Sequence, residues 1–273
     1  QKKIGKSYKK YVRYEGDESM KRVLKMHPDF DIDWFSDPAR RFHISIDIAG
    51  GKKRDYTVFN IFEVQFKTLE EIENMDIIKD ETDFFKLVQV GMMRNNQLKS
   101  EYMALYLYKF ITGYMIPENV KMTIEMNFEG KFFNKCLFEF EGKKNKLSEL
   151  REEILVEYPK NMAFDDEKAK WDYGITQNAN TKQDSCKTIN YMLYNDNIQL
   201  NESVTIDEAL SFGLNKKGKY EGLGKNDDCF MTVINVSNFN RTEEYEEQVN
   251  DLYESLDDGE LAIVERILGT DED

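Results

Sequence analysis

The feature that most constrains the fold is an alternating segment, residues 41–49, which ends in an acid and a glycine turn. In RFHISIDIA, apolar side chains alternate with polar ones, and a period of two is typical of a strand with one buried face. Gly50 and Gly51 predict a tight reversal into a second strand, Thr57–Phe66, so the two strands should pair antiparallel. Asp47 ends the first strand, where a buried carboxylate is costly unless a cation meets it.

The rest of the chain predicts a mixed α/β fold. A third strand is expected over about 84–92, a helix over 97–115, and a fourth, alternating strand over 120–127. Further predicted elements are helices over 132–140, 145–158, 183–195, 205–212 (capped by Thr205), 227–238 and from Glu243, a short strand over 197–201 and a hairpin or loop over 213–224. Three antiparallel strands followed by a helix and a parallel strand give the topology of an RNase H-like mixed sheet, flanked by helices.

Charge is distributed unevenly along the chain. Residues 241–273 contain 13 acids and two basic residues, which leaves a net charge of only −3 on the other 240 residues, although the whole chain carries −14. The main body is therefore compatible with a nucleic-acid partner. We expect a basic lead-in or linker over residues 1–30, an RNase H-like domain over 31–240, and an acidic C-terminal helix or tail over 241–273.

Other features exclude several classes of protein. No apolar run approaches the roughly 18 residues of a membrane helix, and no signal peptide is visible. The cysteines Cys136, Cys186 and Cys229 are far apart and form no zinc or disulfide motif, so a reducing cytosol is expected. Because the chain begins at Gln1 rather than at methionine, we expect it to be a fragment of a longer polypeptide.

Four acids are expected to converge in this topology. Asp47 ends the first strand and Glu125 lies near the end of the fourth, and these strands are neighbours in an RNase H-like sheet. Asp227 and Asp228 open a late helix that could pack across the same sheet. Ligands that are all oxygen favour Mg²⁺ or Mn²⁺. A pair of such ions can activate a water and stabilise the leaving oxygen of a phosphodiester.

The helical spacing bears on which of the paired acids is the ligand. Asp227 shares its side with Met231, on the apolar face expected to meet the sheet, whereas Asp228 shares its side with Thr232 and Asn235. This spacing favours Asp227, but a first-turn residue need not follow the helical wheel, so both remain candidates. Any one of these acids alone is more often a cap or a solvated charge; the prediction depends on their joint placement.

Four segments carry a resemblance to a known family. In chain order they read DPARRFHISIDIAGGKKRDYTVFNIFEV, MTIEMNFEG, YGITQNANTKQDSCKTINYML and GKNDDCFMTVIN. They resemble the C-terminal nuclease domain of the large terminase subunit of T-even-like tailed bacteriophages. The resemblance spans about residues 31–239. It implies an RNase H-like, metal-dependent endonuclease that cuts concatemeric double-stranded DNA at the start and end of genome packaging.

The resemblance also implies roles for single residues. The four acids match the family's metal ligands and catalytic acids, and the resemblance implies that they hold two Mg²⁺ or Mn²⁺ ions. Asp55, in DYT, matches a further family acid that supports the ligands from outside the metal's direct contacts. Lys182, in NTK, matches a lysine beside the site. Two positions depart from the family pattern, because Gly50 and Asn226 stand where relatives often carry an acid and a histidine.

The implied partners belong to a packaging machine in the host cytoplasm. They are the ATPase motor domain of the same polypeptide, the portal protein and the small terminase subunit, with no membrane partner. The sequence contains no GxxxxGK[ST] phosphate loop. This chain is therefore not expected to hydrolyse ATP by that route.

Two basic elements lie near the predicted site. Lys216, Lys217 and Lys219 stand among glycines just before the paired acids. They predict either a hairpin that contacts the DNA backbone or an ordinary solvated turn. Residues 52–54 (KKR), in the turn beside Asp47, could hold a phosphate or offset the acids.

Two alternative functions stay open. The chain could be another RNase H-like enzyme, such as a junction resolvase or integrase, which would prefer branched substrates or catalyse strand transfer. It could instead be a non-catalytic module that docks portal protein or packaged DNA and whose acids are structural. A metal titration would distinguish the second alternative from a nuclease, because a docking module should show no Mn²⁺ site that depends on the carboxylates. His43 is predicted to be a packed residue rather than a metal ligand.

Overall fold

The structure, a computed structural model, describes most of the chain. The described residues are 10–13, 23–49, 55–75, 78, 81–127, 129–140, 142–160, 170–224 and 226–268. The glycine turn after the first strand and the basic residues 52–54 lie outside them.

The described residues form short strands and helices throughout. The strands are β1 (Lys10–Arg13), β2 (Val23–Met26), β3 (Arg41–Asp47), β4 (Thr57–Phe66), β5 (Phe85–Asn95), β6 (Val120–Ile124), β7 (Glu139–Phe140), β8 (Lys143–Lys144), β9 (Glu157–Pro159), β10 (Trp171–Tyr173), β11 (Ile198–Gln199), β12 (Phe212–Leu214) and β13 (Tyr220–Gly222). The helices are α1 (Leu69–Glu73), α2 (Ser100–Tyr114), α3 (Glu129–Phe138), α4 (Arg151–Ile154), α5 (Ala179–Tyr194), α6 (Ser203–Leu210), α7 (Asp228–Val236), α8 (Glu243–Tyr253) and α9 (Asp258–Leu268).

A central mixed sheet organises the molecule. Its strand order is β1-β2-β5-β4-β3-β6, and β11 also pairs with β5. The strands β3, β4 and β5 are antiparallel neighbours, while β6 runs parallel to β3. Two parallel bridges, Met122 with Leu155 and Glu125 with Ile175, continue the pairing beyond β6. This topology confirms the predicted RNase H-like mixed sheet.

The sheet has helices on both faces, as the predicted RNase H-like topology requires, and β3 is buried on both sides although its sequence alternates. Phe42, Ile44 and Ile46 are fully buried in one apolar cluster, which also contains residues of α2 and α3. A second cluster lies on the other face and includes residues of α5, α7, α8 and α9. The predicted strand Thr57–Phe66 is present with the expected bounds.

Polar contacts join α7 to the sheet. Ser45 Oγ donates to the carbonyl oxygen of Thr232 at 2.7 Å, and Asn60 Nδ2 donates to Thr232 Oγ1 at 2.6 Å. The expectation that the apolar side of α7 would meet the sheet is therefore wrong: the side that bonds to the sheet carries Thr232. The reason is that Ser45 and Asn60 place buried polar groups on this face of the sheet, and such groups need partners across the interface.

The predicted helix over residues 145–158 is wrong. This segment contains only a 3₁₀ turn (Lys146–Ser148) and the four-residue α4, and then β9. Val156 donates its backbone N–H to the Met122 carbonyl oxygen at 3.0 Å. Pairing with β6 thus prevails over the local helical pattern. The helix predicted to start at Thr205 instead starts at Ser203, because the Glu202 carboxylate caps its first turn.

The first and last parts of the described chain both pack against the rest of the protein. Lys25 in β2 pairs with Met92 of β5. Beyond residue 241 the chain forms two helices, and α8 buries Tyr245 and Val249 against the body of the protein. The domain divisions at residues 30 and 240 stay predictions. None of the described helices has both the length and the apolar character of a membrane span.

Candidate metal centre

Two of the predicted acids lie at one edge of the sheet. In the parallel pair β3 and β6, Ile46 is the register partner of Ile124, and Asp47 and Glu125 follow them directly. The Glu125 backbone N–H donates to the Ile46 carbonyl oxygen at 3.0 Å, which extends the pairing to this residue. The two carboxyl groups therefore leave adjacent parallel strands at the same edge.

The start of α7 brings the other two acids to this edge. Asp227 occupies the N-cap position and Asp228 is the first helical residue. Asp228 Oδ2 accepts the backbone N–H of Tyr56, the residue directly before β4, at 3.2 Å. Asp227 Oδ2 accepts the backbone N–H of Gly222 at 3.0 Å and lies 3.7 Å from Lys182 Nζ.

Burial and neighbouring carboxylates raise the pKa of three of these acids, Asp47, Glu125 and Asp228. The pKa of Asp47 is well above its usual value, first because of burial and then because of the charges on Glu125, Asp228 and Asp227, while Lys182 opposes the shift. Burial raises the pKa of Glu125 as well, and raises that of Asp228 to about 6. Mutual elevation of this kind is expected of carboxylates that share a site with too little positive charge.

Side-chain amides hold the Glu125 carboxylate. Asn127 Nδ2 donates to Glu125 Oε1 at 2.7 Å, and Asn235 Nδ2 donates to Oε2 at 3.3 Å. Asn235 in turn accepts a hydrogen bond from Gln177 Nε2 at 2.8 Å. These amides were not among the predicted site residues. One signal was available for Asn235, since it lies seven residues after Asp228 on the same side of the helix.

The choice between the paired acids is not decided by the helical wheel. Asp227 precedes the helix, with φ −128° and ψ 10°, so the helical spacing does not apply to its side chain. Asp228 lies on the side of α7 that carries Asn235 and bonds to the sheet. Asp227 acts on the pKa of both Asp47 and Glu125. Both acids therefore remain candidate ligands.

The carboxylates do not form a finished coordination shell. Within the part of the chain that the structure describes, no group of three or more His, Cys, Asp or Glu side chains is arranged to hold a metal ion. The oxygens of Asp227 and Asp228 are instead engaged by backbone N–H groups. The donor set nevertheless fits a hard divalent cation, because every candidate ligand atom is a carboxylate oxygen. Metal ligation by these acids stays a prediction.

No family model matches the sequence, and neither does any curated protein. Similar solved structures include the large terminase nuclease of thermophilic phage G20c with bound cobalt (11% identity, TM-score 0.47) and with bound magnesium (12%, 0.46). In each comparison the match covers 83% of this chain and 89% of the other. The nuclease domain of the large terminase of Thermus phage P74-26 is 12% identical, with a TM-score of 0.42 over 79% of this chain and 85% of that one.

These similarities are too weak for function to be carried over from the solved structures. The T-even-like assignment also stays a prediction, since the phages named in these comparisons are a thermophilic phage and a Thermus phage.

The other predicted site residues are Lys182, the three lysines at positions 216, 217 and 219, and Asp55. Lys182 is beside them, through its contact with Asp227. The lysines Lys216, Lys217 and Lys219 belong to the exposed turn between β12 and β13, whose base contacts Asp227 through Gly222. Asp55 is exposed and directly precedes Tyr56, the donor to Asp228. A supporting role for Asp55 stays a prediction.

Proposed function

We propose that this chain is the metal-dependent DNA endonuclease domain of a viral DNA-packaging terminase, with double-stranded DNA as its substrate. One observation carries the proposal: the carboxyl groups of Asp47, Glu125, Asp227 and Asp228 lie at one edge of the sheet, where burial and neighbouring carboxylates raise the pKa of Asp47, Glu125 and Asp228. Such a cluster is costly to maintain without a cation and is typical of a functional site.

The protein's own residues supply the ligands and their orientation. In this proposal Asp47 and Glu125 hold Mg²⁺ or Mn²⁺ from the sheet, and one or both of Asp227 and Asp228 hold it from α7. Two ions, when bound, would lower the pKa of a water that attacks phosphorus and would stabilise the leaving 3′-oxygen. The amide of Asn235 fixes the direction of the Glu125 carboxylate, as expected of groups that orient metal ligands.

Positive charge near the acids supports a polyanionic substrate. Lys182 lies beside Asp227. Lys216, Lys217 and Lys219 belong to the turn between β12 and β13, and Gly222 at the base of this hairpin donates to Asp227. In the proposal Lys182 and the exposed lysines of this turn contact phosphates, which position DNA without reading its sequence. Little sequence preference is therefore expected.

The packaging context comes from the sequence resemblance. The four resembling segments contain all four acids and Lys182. We include in the proposal the partners that the resemblance implies: an ATPase motor domain of the same polypeptide, the portal protein and the small terminase subunit, acting in the host cytoplasm.

The decisive experiment is plasmid cleavage in Mn²⁺ by Asp47→Ala. Cleavage should be abolished while circular dichroism shows an intact fold. Asp251→Ala is a matched control, since Asp251 is an acid on α8 that pairs with Arg41 at the opposite ends of the strands, and it should cut as the wild type does. Undiminished cleavage by Asp47→Ala would refute the mechanism.

Substrate and metal titrations separate the alternatives. A terminase-like nuclease should cut linear duplex at least as well as a four-way junction, whereas a strong preference for the junction would favour a resolvase. A non-catalytic docking module should bind no Mn²⁺ that depends on Asp47 or Glu125.

A further inference from the structure

The N-terminus of α7 is capped by a residue from another helix. The N–H groups of the first turn of a helix have no partner within the helix. An aspartate at the N-cap position normally accepts one of them, at the second or third helical residue. Asp227 holds the N-cap position, but its side chain makes no such bond. Its carboxylate turns instead to Gly222 and Lys182.

Glu208 accepts the N–H groups that Asp227 leaves. Its Oε2 accepts from Cys229 at 2.7 Å and from Phe230 at 3.1 Å, the second and third residues of α7. Glu208 belongs to α6 and is only 4% exposed. A buried carboxylate with two backbone donors is a strong acceptor.

An arginine fixes Glu208 in this position. Arg94 of β5 lies 3.1 Å from Glu208 Oε1, and its guanidinium stacks on the Tyr56 ring, 3.8 Å from the centroid. The backbone N–H of Tyr56 donates to Asp228. The residues that orient Glu208 are thus in contact with the segment that holds Asp228.

We infer that Glu208 is a positioning residue that caps α7 in place of Asp227 and so keeps the Asp227 carboxylate turned away from the helix, on the side of Gly222 and Lys182, where it can contribute to cation binding. Without Glu208, the N–H groups of Cys229 and Phe230 would need another acceptor, and Asp227 is the residue placed by sequence to supply it. The role of Glu208 in cation binding rests on the proposed function. The prediction that Asp227 caps α7 once Glu208 is removed does not.

The first test measures Mn²⁺ binding by calorimetric titration. Glu208→Ala should weaken the binding about 10- to 100-fold, the loss typical for residues that orient metal ligands. Glu208→Gln should restore most of it, because an amide oxygen can still cap the helix. Glu63→Ala is a matched control: Glu63 is a buried carboxylate paired with Arg40, near the far end of β4 from the acids. It should lower the stability but leave Mn²⁺ binding unchanged.

The second test needs no metal. Asp227→Ala should lower Tm, measured in EDTA, more in the Glu208→Ala background than in the wild type, because only there does Asp227 cap the helix. If Glu208→Ala does not fold, Glu208→Met combined with Arg94→Met carries both tests, since it removes the acceptor without leaving an unpaired charge.

The outcomes of these tests distinguish a failure of the inference about Glu208 from a failure of the proposed function. Wild-type Mn²⁺ affinity in Glu208→Ala, equal losses in Glu208→Ala and Glu63→Ala, or an Asp227→Ala effect on Tm that is the same in both backgrounds would overturn the inference. If the wild type binds no Mn²⁺, the proposed function fails, and the metal-free comparison still decides whether Glu208 displaces Asp227 from the cap.

Discussion

Asn235 Nδ2 donates a hydrogen bond to Glu125 Oε2 at 3.3 Å, and this bond links α7 to the residue that directly follows β6. Asn235 is fully buried and accepts from Gln177, at the approach to α5. Three elements that are distant in sequence therefore determine the direction of Glu125. The orientation of this candidate ligand depends on packing as much as on its own strand.

Asn235→Ala should weaken Mn²⁺ binding about 10- to 100-fold, because Glu125 loses a donor that fixes one of its oxygens. Calorimetric titration with Mn²⁺ measures this directly. Gln248→Ala is a suitable control: Gln248 is a buried amide on α8 whose bonds go to the carbonyl oxygens of Phe42 and Asn119. The control should lose stability only. Equal Mn²⁺ affinity in Asn235→Ala and the wild type would contradict the orienting role.

Asp47→Asn should stabilise the metal-free protein at pH 8. The pKa of Asp47 in the fold lies well above 3.8, so the free energy of unfolding decreases as pH rises from about that value through the folded pKa. Asparagine carries no charge and removes this loss. In EDTA at pH 8 we expect Tm to rise by about 2–4 °C, the shift that ~1 kcal/mol produces in a domain of this size. The difference should shrink towards pH 4, and a lower Tm at pH 8 would argue against the repulsion.

His43→Phe should flatten the loss of stability in acid. Burial lowers the pKa of His43 from 6.5 to about 3, and its ring stacks on Phe239 at 3.9 Å. Below pH 6.5 the unfolded chain takes up a proton that the folded chain does not, so stability decreases as pH falls towards 3. Between pH 7 and 5 the wild type should lose about 2 kcal/mol more than the variant. Denaturant unfolding at both pH values measures this, and parallel losses would contradict it.

Replacing Lys216, Lys217 and Lys219 together with alanine should weaken DNA binding and its salt dependence. Each phosphate contact contributes about 0.9 to the slope of log K against log salt, so the slope should fall by about 2–3. Fluorescence anisotropy in EDTA measures binding without cleavage. The paired change Lys143→Ala and Lys144→Ala, on the exposed β7–β8 hairpin, should leave the slope unchanged. An unaltered slope in the triple variant would indicate an ordinary solvated turn.

The middle of the sheet could be predicted from sequence because β3 and β6 carry a periodic signal, whereas β1 and β2 lie in the segment predicted to be a lead-in or linker. The alternation around Ile44 identified β3, and chain order then indicated that the strand of Met122 lies beside it. The placement of Asp47 and Glu125 at one edge follows from those two facts. Strand ends that carry acids are thus accessible to reasoning from a single sequence.

The orientation of α7 could not be predicted in the same way. Hydrophobic patterning assumes that the apolar side of a helix meets the sheet, but Asn60 and Ser45 offer polar partners there, and Thr232 meets them. Glu208 lies about twenty residues before the helix that it caps, and no local pattern connects it to Cys229. Contacts of this kind depend on how separate elements pack.

The position of α8 places its acidic residues near the beginning of β3, away from the end of that strand where Asp47 lies. Gln248 on α8 contacts Phe42 at the beginning of β3, whereas Asp47 ends the same strand, about 17 Å further along. That separation exceeds the Debye length of roughly 8 Å at physiological ionic strength. The five acids of α8, which no basic residue of that helix offsets, are therefore screened from the opposite end. A chain with a net charge of −14 can in this way keep the charge of α8 away from the end that carries Asp47, Glu125 and Lys182, where we propose that a polyanion binds.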